Sequence, residues 1–150
     1  MNRREQIQLT PPEQSAFLKE PNKAALATID KDGFPHVVAM GFLAKDGAIF
    51  MTSYAKAQKV VNIRRNPKVA VMVESGKNYG DFRGVLIRGL CEIIEDPAVV
   101  EKTMRELTGN QAGSSGVPKG AVSSAPKRAL LKIVPQKVSS WDHTKLGGKY

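Results

Sequence analysis

The chain has 150 residues, 41% of them hydrophobic and 25% charged, a globular composition for one domain that excludes a disordered chain and a disulfide scaffold. Its one cysteine, Cys91, excludes an internal disulfide and a cysteine-rich zinc site, and no apolar run approaches the ~20 residues of a membrane span or forms a signal-peptide core, so a soluble, cytoplasmic protein is expected. The net charge of +9 points to an anionic partner and sits in two blocks: residues 51–70 hold Lys56, Lys59, Arg64, Arg65 and Lys68 with no acid, and residues 113–150 hold seven bases against Asp142 alone.

In chain order, Thr10-Pro11-Pro12-Glu13 reads as a capping box with proline in the first turn, opening a helix to about Glu20 that makes residues 1–21 an N-terminal helical segment. Residues 24–29 (AALATI) and 36–43 (HVVAMGFL) read as strands joined by the turn Asp30-Lys31-Asp32-Gly33. After a second turn at Asp46-Gly47, residues 48–52 (AIFMT) are expected to complete a three-stranded antiparallel meander. Helical spacing of Ala57, Val60, Val61 and Ile63 predicts an amphipathic helix over 55–65, ended by Asn66-Pro67. A strand over 68–73, a loop over 76–81 and a long strand over 82–94, bent or bulged at Gly84 or Gly89, follow. Asp96-Pro97 caps a helix to about Leu107, and residues 109–126 form a Gly/Ser/Pro-rich loop of the length that usually serves a function or moves. The chain closes with a strand over 128–134, a break at Pro135, a short segment over 137–141 and a polar tail over 142–150. Six or seven strands with three helices make an α+β, barrel-like single domain.

Acid–base and nucleophilic catalysis find little support, since His36 and His143 are the only histidines and neither triad nor metal-ligand spacing occurs. Asp30 and Asp32 are turn residues rather than a paired-carboxylate site. The informative constellation is Thr52-Ser53 at a strand end, followed by Lys56 and Lys59 at the start of a helix. Hydroxyls, free first-turn N–H groups, a helix dipole and ammonium groups all favour a bound phosphate. A solvated helix face is the alternative reading of those lysines, and the absence of acid from 51–70 tilts the balance toward an anion site.

The ordered series AALATIDKDGFPHVVAMGF, AIFMTS, KAQKVVNIRRNPKVAVMV and RGLCEII resembles the pyridoxamine-5′-phosphate-oxidase-like split β-barrels, which include FMN enzymes and deazaflavin (coenzyme F420)-dependent oxidoreductases. The resemblance runs from about Ala24 to Ile94 and implies a six- to seven-stranded antiparallel split barrel that works as a homodimer, with the cofactor in a groove between subunits. Carried onto this sequence, it implies that Pro35, His36, Val37, Val38 and Met40 line the ring groove, Thr52 and Ser53 meet the ring edge or phosphate, and Lys56 and Lys59 hold the phosphate. Asn78, Tyr79 and Phe82 fall where the partner chain closes that groove, with Trp141 as a further candidate. The ending WDHTKLGGKY lacks the arginine-rich substrate segment of true pyridoxamine phosphate oxidases, so that activity is not expected.

What the resemblance implies chemically is hydride transfer between the cofactor ring and a small organic substrate, which needs positioning groups rather than a triad. F420 and FMN both present a phosphate. The broad basic surface suits the carboxylates of the F420 tail, while 15 lysines against 8 arginines departs from the arginine-rich usage of organisms where F420 is commonest, and the balance falls to F420. The alternatives are a flavin- or haem-binding protein of the same fold without turnover, and a basic β-barrel that tracks nucleic-acid phosphates, although Tyr54 is the only aromatic residue in the 51–70 block.

Overall fold

The structure, a computed structural model, describes residues 1–109 and 121–149, with residues 121–123 described by their backbone alone. Along the chain it forms α1 (Arg3–Gln6), α2 (Pro11–Phe17), β1 (Ala24–Ile29), β2 (Pro35–Met40), β3 (Leu43–Lys45), β4 (Ala48–Tyr54), α3 (Gln58–Arg65), β5 (Lys68–Ser75), β6 (Arg83–Ile94), α4 (Pro97–Gly109) and β7 (Arg128–Asp142). The strands build one antiparallel sheet, order β2-β1-β5-β6-β7-β4-β3, curled into the half-barrel that the sequence predicts. No helix among the described residues is long and apolar enough to cross a membrane.

Both predicted Asp/Gly turns form. Asp30 Oδ1 accepts the N–H groups of Asp32 at 2.8 Å and Phe34 at 3.0 Å, which explains the aspartate as turn chemistry. Asp46 and Gly47 both take positive φ, 51° and 74°, the backbone that a two-residue hairpin turn requires.

The predicted meander over 24–52 does not form. The expected strand over 36–43 is interrupted at Gly41-Phe42, giving β2 and β3, which lie at opposite ends of the sheet order. β4 pairs with β7 instead, Ile49 opposite Ile133 and Met51 opposite Leu131. An alternating strand can pair with any neighbour of the same pattern; here pairing follows closure of the core, where these four side chains are buried together.

Pro135 does not break the last strand. β7 runs without interruption to Asp142, and its register with β6 slips by one residue opposite the Arg88/Gly89 step, so that Gly89 faces Pro135 while Arg88 faces Lys137. The bulge accommodates a residue that has no N–H to donate. Gly89 is required there, because a Cβ would stand 2.4 Å from the carbonyl oxygen of Val134.

The helices differ from expectation at their ends. α2 stops at Phe17 because Lys19 and Glu20 donate back three residues, to Ala16 and Phe17, and turn the chain before Pro21. A helix beyond the three expected, α1, is capped by reciprocal bonds between Asn2 and Glu5. Of the expected loop over 109–126, residues 110–120 lie outside the described residues, and Ala121–Lys127 form a 3₁₀ helix. The expected tail is docked: Lys145 Nζ donates to the Gln8 carbonyl at 2.7 Å and pairs with Glu13 Oε2 at 2.7 Å.

Two cores position the site. Inside the barrel, Val60 and Ile63 of α3 pack with Leu26, Met51, Val71 and Ile133. On the other side of the sheet, Val100 and Met104 of α4 cover Leu130 and Phe50. The outer surface of β2, β1 and β5 carries Val37 and Met72, 60% and 40% exposed, with Ala25, Ala27 and Ala70 between them.

Candidate anion and cofactor site

The charged constellation sits where β4 passes into α3. Side chains alternate along β4, so Met51 and Ser53 face the barrel interior while Thr52 and Tyr54 face the α4 side. Lys59, in the first turn of α3, returns over the strand end, and its Nζ donates to Ser53 Oγ at 3.2 Å. Burial, and after it the charge of Arg128, holds the Lys59 ammonium below the usual lysine range.

Arg128 arrives from the other end of the sequence through the β4–β7 register, which sets it opposite Tyr54 and sets Ala129 opposite Ser53. Its guanidinium lies 4.3 Å from the centre of the Tyr54 ring, and its Nε donates to Ser124 Oγ at 2.9 Å. Among the described residues, the ion pairs involve other cations, and neither Lys59 nor Arg128 has a carboxylate partner. The N-cap of α3 is Ala57, which offers no side-chain acceptor, so the first-turn N–H groups lack a side-chain cap.

The height of Lys59 over Ser53 is set by Asn62, one turn further along α3. Asn62 is fully buried, donates from Nδ2 to Thr28 Oγ1 at 3.0 Å, and accepts from Gln58 Nε2 at 2.7 Å. Arg65 Nη2 adds a bond to the Ile29 carbonyl at 2.9 Å, tying the same helix to the end of β1. Asn62 and Arg128 are the residues that sequence reasoning missed. The amide pair Gln58/Asn62 at helical i, i+4 spacing was the available signal for the first, whereas nothing local marks the second.

The other predicted residues divide into three groups. On β2, an edge strand with one row of backbone groups lacking a strand partner, Pro35 and Val37 face outward, while His36, Val38 and Met40 alternate to the other side. His36 stands opposite Thr28, the residue that receives Asn62, so it lies at the same end of the barrel as α3. His36 Nδ1 and Thr52 Oγ1 are buried polar atoms without a protein partner. Lys56 is exposed and precedes the helix, so the structure does not bring it to Ser53 as it brings Lys59.

Asn78 and Tyr79 lie at the far end of the sheet. Asp81 Oδ1 accepts from the N–H groups of Lys77 and Asn78, and Tyr79 packs against Phe82 and His143 at centroid distances of 6.1 and 4.6 Å. Trp141 lies over Gly84 so closely that a Cβ there would meet its ring at 2.2 Å. Arg128 and Trp141 occupy opposite ends of β7, ~40 Å apart along the strand, so one chain alone does not bring Asn78 and Tyr79 to Lys59. A cleft of about 470 Å³ under α2, lined by Leu18, Ala44, Ile49, Val85, Ile87 and Pro135, opens at the Ala48 end of β4, away from Ser53.

The strand-to-helix junction of this split barrel thus places the Lys59 ammonium, the Ser53 hydroxyl and the first-turn amides of α3, which have no side-chain cap, at one corner. The family model described as pyridoxamine 5′-phosphate oxidase matches residues 10–142, and the chain belongs to that family. Among solved structures, a conserved hypothetical protein from Mycobacterium tuberculosis is 32% identical with a TM-score of 0.84, the match covering 100% of this chain and 95% of that one. An F420 reductase is 30% identical with a TM-score of 0.68, covering 83% of this chain and 94% of the other. The haem storage protein HutZ from Vibrio cholerae shares the fold at 18% identity, with a TM-score of 0.68 and coverage of 87% and 94%. No curated protein matches the chain.

Proposed function

We propose that the protein is an oxidoreductase that binds a phosphorylated flavin-type cofactor, F420 in preference to FMN, and transfers a hydride between it and a small organic substrate. The observation that carries this reading is the Lys59–Ser53 contact at 3.2 Å beside a helix start without a side-chain cap, in a corner where no described carboxylate pairs with the lysine. These residues fit a phosphate: the ammonium and hydroxyl donate to its oxygens, and the α3 amides add donors along the helix dipole.

When bound, the cofactor supplies the hydride chemistry. The chain's own residues bind and orient it. Lys59 and Ser53 fix the phosphate, and exposed Lys56 adds positive potential in front of it. The free backbone row of β2 offers N–H and C=O groups to the edge of a ring, with Pro35 and Val37 on one side of the strand and His36, Val38 and Met40 on the other. The buried, unpartnered Nδ1 of His36, on the barrel side of β2, is the polar atom that a ligand at this end would satisfy, whereas Thr52 Oγ1 lies on the α4 side of β4.

The groove is completed by a second copy of the chain. The uncovered apolar face of β2, β1 and β5 is the surface for that contact, and a homodimer can deliver Asn78 and Tyr79, with Phe82 and Trp141, to the groove of its partner. The preference for F420 rests on the basic residues Lys127, Arg128, Lys132 and Lys137 along β7 and its approach, which suit a tail of carboxylates, and on the F420 reductase among the similar structures.

The test is the visible spectrum of freshly purified protein, followed by titration with F420 and FMN and sedimentation of the loaded protein. Saturable binding of one of them by a dimer is expected. A haem spectrum, or a colourless protein that binds neither cofactor but binds single-stranded DNA with steep salt dependence, would contradict the assignment.

A further inference from the structure

We propose that the groove between the N-terminal segment and the Trp141 end of β7 is a second binding site, and that it takes a nucleotide, with the base on Trp141 and the phosphates among Lys137, Arg88 and Arg4. The inference rests on the groove of this one chain and does not depend on the cofactor reading above.

The groove exists because β7 outruns β4. Beyond Ile133 the strand keeps β6 on one side and has no β4 partner on the other. The N-terminal segment runs along that edge: the Ile7 carbonyl accepts the Asp142 N–H at 2.7 Å, and the Leu9 N–H donates to Ser140 Oγ at 3.0 Å. Between them, Lys145 Nζ donates to the Gln8 carbonyl at 2.7 Å. Three successive residues are thus tied down, and the groove of about 570 Å³ beside them is preformed and of the size of a small-molecule site.

Its floor belongs to the outer sheet face. Alternation puts Lys137, Ser139 and Trp141 on the side opposite the buried Val85 and Ile87, and the register with β6 sets Arg88, Leu86 and Gly84 across from them. The Trp141 ring rests on Gly84, and the missing side chain there is what lets the indole lie against the sheet. Arg4 and Ile7 line the groove from the N-terminal side, and no acidic residue lines it. Glu5, next to Arg4, is committed to the Asn2 cap, and Glu74, the acid in the Gly84–Trp141 row, stands at the indole end, away from Lys137. Arg88 and Lys137 are exposed and directly opposite on adjacent strands, a like-charge pair that costs stability until an anion bridges it.

Chemistry and length together define the ligand class. Lys137 and Trp141 stand four residues apart on one face, ~13 Å along the strand, so the ring and the charges of the ligand are separated by a spacer. A simple aromatic carboxylate spans too little, and an inorganic polyanion leaves the indole unused. A nucleotide supplies a planar base for the indole, hydroxyls beside Ser139 midway, and two or more charges for the cations.

Trp141 is the only tryptophan, so its emission reports on this groove. The experiment follows that emission while the full chain is titrated with ADP, adenosine and pyrophosphate, in wild type, Lys137→Gln, Arg88→Gln and Lys59→Ala. ADP is expected to quench the indole saturably, adenosine to bind about tenfold more weakly or worse, and pyrophosphate to displace ADP. Lys137→Gln and Arg88→Gln, both at exposed positions that the fold does not need, are each expected to weaken ADP about tenfold. Lys59→Ala is expected to leave ADP binding unchanged, which separates the groove from the corner at α3. Absence of saturable quenching by ADP overturns the proposal, as does unchanged affinity in both Lys137→Gln and Arg88→Gln, or a loss in Lys59→Ala as large as theirs. A free nucleotide and a single strand of nucleic acid present the same base and phosphate, and competition by a short oligonucleotide separates them. Displacement of ADP at a lower concentration of bases than free ADP requires assigns the groove to a strand and overturns the free-nucleotide reading; weaker displacement supports it.

Discussion

Replacing Asn62 by leucine removes a fully buried amide without opening a large cavity, and the structure allows its cost to be worked out. The bonds lost are Nδ2 to Thr28 Oγ1 at 3.0 Å and the acceptance by Oδ1 from Gln58 Nε2 at 2.7 Å and from Arg65 Nη2 at 3.3 Å. At about 1 kcal/mol for each neutral bond, plus about 1 kcal/mol or more for leaving the buried Thr28 hydroxyl unpaired, and little for the long bond from the exposed Arg65, which keeps the Ile29 carbonyl, the loss is about 3 kcal/mol. In a chain of this size that lowers Tm by roughly 6–12 °C. Urea unfolding of Asn62→Leu, Thr28→Val and the double variant measures it. The double variant is expected to be clearly more stable than the sum of the single losses implies, because the orphaned hydroxyl is gone. Asn62 also seats the helix that carries Lys59, so affinity for a phosphorylated ligand falls with stability. A single-variant cost below about 0.5 kcal/mol, or strict additivity in the cycle, would refute the reasoning.

Three other outcomes are expected. Gly89→Ala pushes a methyl against the Val134 backbone and should cost about 2–3 kcal/mol in urea unfolding, since a backbone oxygen at 2.4 Å cannot swing aside. Gly84→Ala displaces the only tryptophan, Trp141, and should shift its emission. Burial pushes the Cys91 thiol up to about 12 from an ordinary value of 9.0, so the native protein should resist thiol reagents at pH 8. The raised value also means that the unfolded chain releases this proton first, so stability present below about pH 9 is lost as pH rises toward 12, and Cys91→Ala should flatten that decline. Because Lys59 is held below the ordinary lysine value of 10.5, affinity for FMN or F420 should begin to fall before the pH reaches that value, and Arg128→Gln should move the fall to higher pH by removing a neighbouring positive charge.

Local chemistry in the sequence was legible where it decides local structure. The Asp30–Gly33 and Asp46-Gly47 turns, the Thr10 capping box, the Asn66-Pro67 helix stop and the bulge at Gly89 all depend on residues close in the chain, and all are found. Strand pairing was not legible, because β4 finds its partner in β7, some 80 residues on, and the alternation of AIFMT is equally compatible with β2. The same register delivers Arg128 to Tyr54, a contact that nothing local in the sequence marks, whereas Ser53 and Lys59 stand six residues apart on one strand-to-helix junction and were legible. The alternation along β2 was legible in principle; it separates Pro35 and Val37 from His36, Val38 and Met40, so the predicted groove residues present two different faces.

The most direct test of the central claim is the dissociation constant of F420 and of FMN for wild-type protein and for Lys59→Ala, measured on protein shown to be folded by its unchanged thermal unfolding. Saturable binding of one cofactor by the wild type and a loss of about tenfold or more in Lys59→Ala is the predicted result. Equal affinity in the two proteins, or no binding of either cofactor by the wild type, would contradict the assignment of this corner as the phosphate site of a flavin-type cofactor.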